Sequence, residues 1–407
     1  MVQSGGTLTG IAAALDTSVH QLASDNGIPI PDIISVRQKL YYCPTVLVVP
    51  VSCRLGGKAQ AEETLLVANG TAPTFGLWYD FRQRLPLGDY ARFYAECLEE
   101  IEEGERLGFT GVWLSEHHFV DDGYLPSPLV VAAAIAARTT TMTIGTNVLL
   151  LPMHHPLRVA EDAAVVDLIS GGRYVLGVGQ GYVQHEFETL GFERKYRPSL
   201  FEEGIEVIRH ALRDGRTGYK GRRWSFEDLP FGPRPEGSLP VYIGAFADPA
   251  IDRAARLADG FLASAGGGAF GETYRKVLAA LERHGRAGEE FPYVASGVAF
   301  VHEDAGRARE IVGPAIAYQR TRYAEWGTDR DKTPPEPIPE EDLPWKRYLV
   351  GTPEEVAEAL IELYKEAPYD HLCFWGRLPG VTHEEALANM RLFASEVAPR
   401  VRDAVKV

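Results

Sequence analysis

The sequence predicts an α/β fold for residues 74–407, a (β/α)8 TIM-type barrel, preceded by a small α+β extension. Three observations lead there. Eight short apolar, β-rich runs alternate with helical patterns, as parallel strands joined by crossover helices do. The runs are apolar at successive positions, which suits strands buried on both faces. A doubly wound sheet satisfies the same alternation, but the count of eight and the length of the stretch favour a barrel.

The elements follow in order. Thr74 to Tyr79 is the first run, and residues 89–107 place Tyr90, Phe93, Tyr94, Cys97, Leu98, Ile101 and Leu107 at helical spacing. Gly111 to Leu114 precedes a helix at 127–137, and Met142 to Leu151 precedes one at 156–169. Tyr174 to Val178 leads through an irregular stretch to a helix at 200–213. Val241 to Gly244 leads to a helix at 248–258, Phe261 to Ala263 to one at 270–284, and Val294 to Val301 to one at 304–312. A helix at 352–365, the run His371 to Trp375 and a helix at 383–397 complete the pattern. Residues 316–345 carry T-P-P-E-P-I-P-E-E-D-L-P and are expected to form one long loop, of the kind that often covers a barrel's active site.

Hydrophobic residues make up 45% and charged residues 24%, a balance that supports a sizeable core. A formal net charge of -15 repels phosphate backbones and anionic lipid heads, so neither nucleic acid nor membrane is an expected partner. No window holds the ~20 uncharged apolar residues that cross a bilayer. The first residues lack the basic-then-apolar order of a secretory signal. Four cysteines with no C-x-x-C pair fit neither a disulfide framework nor a zinc or redox motif, so a cytoplasmic location is expected.

Small and polar residues dominate 55–73, which reads as a linker between a unit at 1–54 and the barrel at 74–407. In the first unit, Leu8, Ile11, Ala12 and Leu15 suit a short helix, and Thr17-Ser18 precede a second at 19–23. Asn26-Gly27 ends it, and Lys39-Leu40-Tyr41-Tyr42 is strand material.

Barrel enzymes place their chemistry at the C-terminal ends of the strands. The second run ends Ser115-Glu116-His117-His118-Phe119. An imidazole with a carboxylate beside it suits acid–base work near neutral pH. Adjacent side chains on an extended chain diverge, so His117 with His118 is a poor metal clamp, and no metal is expected. The alternative is one packed and one solvated histidine. Gly177-Val178-Gly179-Gln180-Gly181-Tyr182 and Gly244-Ala245-Phe246-Ala247-Asp248 offer backbone amides and a helix start to a phosphate, or are ordinary tight turns. Trp78, Tyr79, Phe246, Tyr318 and Trp345 are candidates for an apolar substrate wall, or for core. No G-x-S-x-G elbow, P-loop or H-E-x-x-H helix is present.

The ordered runs F-G-L-W, G-F-T-G-V-W-L-S-E-H-H-F, I-G-T-N-V-L-L-L-P-M-H-H-P, S-G-G-R-Y-V-L-G-V-G-Q-G, P-V-Y-I-G and V-G-T-P-E-E-V resemble the luciferase-like monooxygenase family across residues 74–400. The resemblance implies a barrel with a flavin at the strand C-termini. It implies His117 as the catalytic histidine and Glu116 as a flavin-pocket carboxylate. It places a non-proline cis peptide under the flavin ring at Asn147-Val148, and the flavin phosphate at Gln180, Gly181 and Tyr182. Gly76, Gly244, Ala245 and Ala247 join these as cofactor candidates, and His118 joins the aromatic residues as a substrate candidate. Bacterial luciferase differs by an arginine at Gln180, a reactive cysteine at Gly179 and a carboxylate at Phe246, which argues against light emission. The implied activity is oxidation of a small, largely apolar substrate by O2 and reduced FMN from a separate flavin reductase, in a homodimer. The alternative is hydride transfer with a deazaflavin coenzyme. G-G-T-L, N-G-I-P and K-L-Y-Y make residues 1–50 similar to a LysM glycan-binding module, with Gly6 in place of the usual aspartate, so the unit is a glycan binder or a functionless extension.

Overall fold

Parallel pairing runs without a break around a ring of eight strands. They are β1 (Thr74–Tyr79), β2 (Gly111–Leu114), β3 (Thr143–Thr146), β4 (Tyr174–Gly179), β5 (Val241–Gly244), β6 (Gly260–Ser264), β7 (Tyr293–Gly297) and β8 (His371–Trp375). Each strand pairs with the next, and β8 returns to β1 through Thr74↔His371 and Trp78↔Trp375. β3 and β4 meet at Ile144↔Tyr174 and Gly145↔Val175, so the ring is closed and has no free edge. The computed structural model describes residues 72–266, 269–327 and 336–405. The expected unit at 1–54 and residues 55–71 of the expected linker lie outside them. No helix among the described residues is long and apolar enough to cross a membrane.

Helices cover the ring because the strands carry apolar side chains outward as well as inward. α1 (Tyr90–Arg106) starts where the Asp89 carboxylate accepts the Arg92 amide, 3.2 Å, and it buries Cys97, Ile101 and Gly104 against the sheet. α2 (Pro128–Arg138), α3 (Pro156–Ser170), the short α4 (Gln184–Thr189), α5 (Arg197–Asp214), α6 (Asp248–Leu257) and α7 (Phe270–Arg283) follow. α9 (Pro353–Glu366) and α10 (His383–Leu392) both open on capping boxes, Thr352 with Glu355 and Thr382 with Glu385. The helical tail expected at 383–397 passes through a π turn at Phe393–Val397 into α11 (Ala398–Ala404).

Several expectations need correction. The run at Val294–Val301 is two pieces, β7 ending at Gly297 and Ala299–Val301 pairing apart from the ring with Leu349–Gly351. The run at Met142–Leu151 is not one strand: β3 stops at Thr146, and Leu149–Leu150 pairs separately with β4. The helix expected at 304–312 continues as α8 (Ala305–Trp326), despite Pro314 inside it. Its buried Ala308, Val312, Ala315, Ile316 and Gln319 keep helical spacing well past the point where a loop was expected. Beyond α8, the described residues 336–348 are irregular apart from short 3-10 turns at Glu340–Asp342 and Trp345–Arg347.

The floor of the barrel is built around His371, the first residue of β8. Its Nδ1 meets Thr74 Oγ1 at 2.8 Å, and its ring lies 6.0 Å from that of Trp113. Gly76 has no side chain because a Cβ there would overlap the His371 ring and the Gly111 carbonyl. Gly76, expected to touch a cofactor, therefore belongs to the floor rather than the rim.

Burial lowers the His371 pKa to about 4 from an ordinary 6.5. As pH falls, the unfolded chain binds this proton first. Stability tied to His371 is complete above pH 6.5 and is lost toward pH 4, by up to about 3 kcal/mol. Unfolding free energies at neutral and mildly acid pH should differ more for the wild type than for His371→Gln, and equal slopes would remove His371 from this role.

Candidate active site

Beyond β2 the chain stays extended, so alternate residues point the same way. Glu116 and His118 share one side, and His117 takes the other. Glu116 is buried, and its carboxylate receives three donors. Oε1 lies 2.8 Å from His118 Nε2 and 2.6 Å from His154 Nε2, while Oε2 accepts the Leu150 amide at 2.6 Å. Burial alone would raise its pKa, but the charge of His154 and the hydrogen bonds from both histidines hold it at about 2. His154 is in turn raised above its ordinary value, Glu116 outweighing the effect of burial. The peptide Asn147–Val148, just before Leu150, is cis, and the Asn147 amide bonds Leu114 O at 2.6 Å. Glu116 thus ties the end of β2 to the kinked end of β3.

His117 faces a different carboxylate. Its Nδ1 lies 2.9 Å from Glu186 Oε1 on α4, and the same oxygen accepts the His118 amide at 2.8 Å. A carboxylate only accepts, so Nδ1 carries the hydrogen and Nε2 keeps the lone pair when the ring is neutral. Four aromatic rings surround the imidazole: Trp326 at 4.6 Å, Tyr124 at 4.9 Å, Tyr182 at 5.7 Å and Tyr323 at 6.1 Å. Tyr323 and Trp326 come from the end of α8. The helix is fastened to the loop after β2 by Tyr318 Oη to Asp122 Oδ2 (3.3 Å), by Arg322 with Asp121, and by the Tyr323 and Tyr124 hydroxyls (3.1 Å). Beneath them lies the buried guanidinium of Arg82, 2.9 Å from Asp80 and 3.7 Å from Asp122, with Tyr124 and Tyr323 ring centres at 5.0 and 5.1 Å.

The neighbouring rim offers polar atoms to a ligand. Trp78 Nε1, Asn147 Nδ2 and Gln180 Nε2 are buried without a hydrogen-bond partner in the protein. Trp78 rests on Trp375 with ring centres 3.8 Å apart, and Trp375 Nε1 donates to Asp80 at 3.0 Å. Val148 fills the space that side chains at Gly179 and Gly244 would need. A cysteine at Gly179 would therefore strike Val148. These unsatisfied N–H donors, one indole and two amides, around a floor made by Val148 fit a flat ligand with polar edges, as a flavin ring is. Beside it, Gln180, Gly181 and Tyr182 at the end of β4 present an amide side chain and backbone, not an arginine.

The structure gathers Glu116, His117, His118, Asn147, Val148, Gln180, Gly181 and Tyr182 at this rim, with Trp78 and Tyr318 beside it. Tyr79 and Trp345 lie elsewhere, while Ala245, Phe246 and Ala247 follow the C-terminal end of β5. Tyr79 is the next residue after the inward Trp78, so its ring turns outward and its hydroxyl donates to Glu100 of α1 at 2.9 Å. Trp345 packs on α8 at Gly313 and near Arg309. Ala245 is buried, Phe246 is 84% exposed, and Ala247 precedes α6, whose first turn holds Asp248 paired with Lys276 at 2.9 Å. That acid weakens the helix start as an anion site. Glu186, Arg82, Asp80, Tyr124, His154, Tyr323, Trp326 and Trp375 enter the arrangement without having been chosen as site residues. For Glu186 the usable signal was a carboxylate soon after the glycine-rich turn. For Tyr323 and Trp326 it was the continued helical spacing of α8.

A closed parallel barrel with acid–base residues and unpaired polar groups at its C-terminal rim defines a (β/α)8 enzyme. A model described as luciferase-like monooxygenase matches residues 74–371, so the chain belongs to the luciferase-like monooxygenase family. A LysM domain model matches residues 1–41. An F420-dependent glucose-6-phosphate dehydrogenase of Amycolatopsis mediterranei is 28% identical over 75% of this chain and 94% of its own. The alkanal monooxygenase alpha chain of Photorhabdus laumondii is 25% identical over 74% and 90%. Among solved structures, the oxygenating constituent of 3,6-diketocamphane monooxygenase from Pseudomonas putida, in complex with FMN, superposes with a TM-score of 0.66 at 17% identity, covering 81% of this chain and 99% of that one. The chain is thus an oxidoreductase-family barrel whose relatives include both an F420-dependent dehydrogenase and monooxygenases.

Glu186→Ala removes the acceptor from two donors, His117 Nδ1–H and the His118 amide. The expected cost is about 2 kcal/mol in chemical denaturation, with His117 losing its single tautomer in nitrogen NMR spectra. An unchanged midpoint together with an unchanged His117 signal would contradict the pairing.

Proposed function

We propose that the barrel is an FMN-dependent monooxygenase that oxidises a small, largely apolar organic substrate. The observation that carries this reading is His117, a single-tautomer imidazole inside a box of four aromatic rings. Such surroundings exclude water and favour an apolar guest. Trp78, Asn147, Val148, Gln180, Gly181 and Tyr182 would hold the flavin. When bound and reduced by a separate reductase, FMN supplies the electrons that activate O2.

The chain's own residues would then orient and move protons. Glu186 fixes the His117 ring, and Nε2 takes a proton from the substrate or returns one to the product. Glu116 keeps the Asn147–Val148 kink in place beneath the flavin. Tyr323 and Trp326 would form two of the walls that an apolar guest meets. Arg82 does not stand free for an anionic substrate, because Asp80 and Asp122 already balance it. The same argument disfavours a sugar phosphate here.

A second reading is hydride transfer with F420, favoured by the similarity to the F420-dependent dehydrogenase over nearly its whole length. The His117–Glu186 pair would serve that chemistry too. Residues 1–41 would add glycan binding, testable by retention of the whole protein on chitin or peptidoglycan. The buried free thiols of Cys97 and Cys373 suit a reducing cytoplasm, and a homodimer is the proposed assembly.

Titration of the flavin-free protein with FMN and with F420 separates the two readings. Tighter binding of FMN is expected, and binding of F420 alone would overturn the monooxygenase reading. His117→Ala should retain FMN while product formation with reduced FMN and O2 falls at least ~100-fold. Near-normal turnover would remove His117 from its role.

A further inference from the structure

We propose that Glu116, His118 and His154 together bind one divalent transition-metal ion of the zinc–iron class. One carboxylate oxygen and two imidazole nitrogens converge there, and the three ligand atoms all lie within 4.8 Å of one another. Both histidines present Nε2 to the same oxygen, Glu116 Oε1, at 2.8 and 2.6 Å. Opening each separation by roughly half an ångström seats an ion at the ~2.0–2.2 Å typical of zinc with nitrogen and carboxylate ligands.

The pattern reverses the expectation of no metal, which rested on the adjacent pair His117–His118. The relevant spacing is Glu116-x-His118, two residues on one side of an extended chain. The third ligand comes from the turn after Leu151–Met153. Glu116 Oε2 is held by the Leu150 amide, so the carboxylate is oriented from behind, as metal-ligating carboxylates usually are. Glu116 is sealed, while the side chains of His118 and His154 are 12% and 29% exposed, which leaves an approach from the histidine side. His155 is not a fourth ligand, because its ring packs 5.2 Å from Trp224 and 5.3 Å from Phe226. Two imidazoles and one carboxylate with positions left for water suit zinc, iron(II) or cobalt(II), whereas magnesium and calcium prefer oxygen ligands.

This inference rests on three side chains and is independent of which flavin the barrel takes. The test uses the full-length protein without an affinity tag, freed of flavin and dialysed against a chelator. Cobalt(II) is followed by its visible d–d absorption and zinc(II) by calorimetry. The expected result is one ion per chain at a dissociation constant on the order of micromolar or tighter. His118→Gln and His154→Gln preserve a hydrogen bond to Glu116, and each should weaken binding at least ~100-fold, beyond what an outer-shell change costs. His210→Gln, at the surface beside Asp214, should bind like the wild type. X-ray absorption of the zinc-loaded wild type should report a nitrogen–oxygen shell with scattering from two imidazoles, which needs no variant to fold. No binding, equal binding in wild type and both glutamine variants, or a sulfur shell overturns the proposal and leaves the triad as a hydrogen-bonded brace.

Discussion

The Glu116 carboxylate sits out of water and receives hydrogen bonds from His118, His154 and the Leu150 amide. A buried charge is tolerable only when its lone pairs are satisfied, and here the partners come from two separate stretches of chain. Satisfying Glu116 therefore fixes where the end of β2 lies relative to the segment after β3. The Asn147–Val148 kink falls between those anchors, and Val148 takes the space left by Gly179 and Gly244. The alternation of the extended chain then sends His117 the other way, toward Glu186. One electrostatic requirement thus orders both sides of the rim.

A second charged group organises the roof. The buried Arg82, Asp80 and Asp122 and the half-buried Arg322 form a neutral set that joins the end of β1 to the loop after β2 and to α8. Burial raises the Asp122 carboxyl, and the neighbouring guanidinium of Arg82 pulls it back. Aromatic rings line this set on the side of His117. The result is an aromatic surround for His117 with the charged groups paired behind it.

Much of this was legible in the sequence. Each of the eight strands falls where an apolar run stands; Glu116 and His117 emerged because the barrel rule points to strand ends, and Asn147–Val148 through the family resemblance. What was lost had physical causes. Tyr79 and Trp78 are both aromatic, and only strand alternation tells which faces inward. α8 was cut short because the prolines from Pro334 onward drew the loop boundary backward, although the helical spacing persists to Trp326. Glu186 and His154 matter through contacts across the fold, and nothing local to either residue announces its partner. Arg82 was invisible for the same reason: a lone arginine after a strand acquires meaning only once Asp122 and three rings close around it.

α8 leaves the ring after β7 and returns over the loop after β2, so two of the four rings around His117, Tyr323 and Trp326, belong to a segment outside the strand framework. On the proposed reading, the residues that would hold a coenzyme and two of the rings that would meet a substrate therefore stand on separate pieces of chain. Descendants of such a chain can exchange the last turns of one helix and meet a new molecule. Those two positions are few, but Trp326 is itself part of the main core and Tyr323 packs against it, so a new guest and the stability of the fold are set partly by the same side chains.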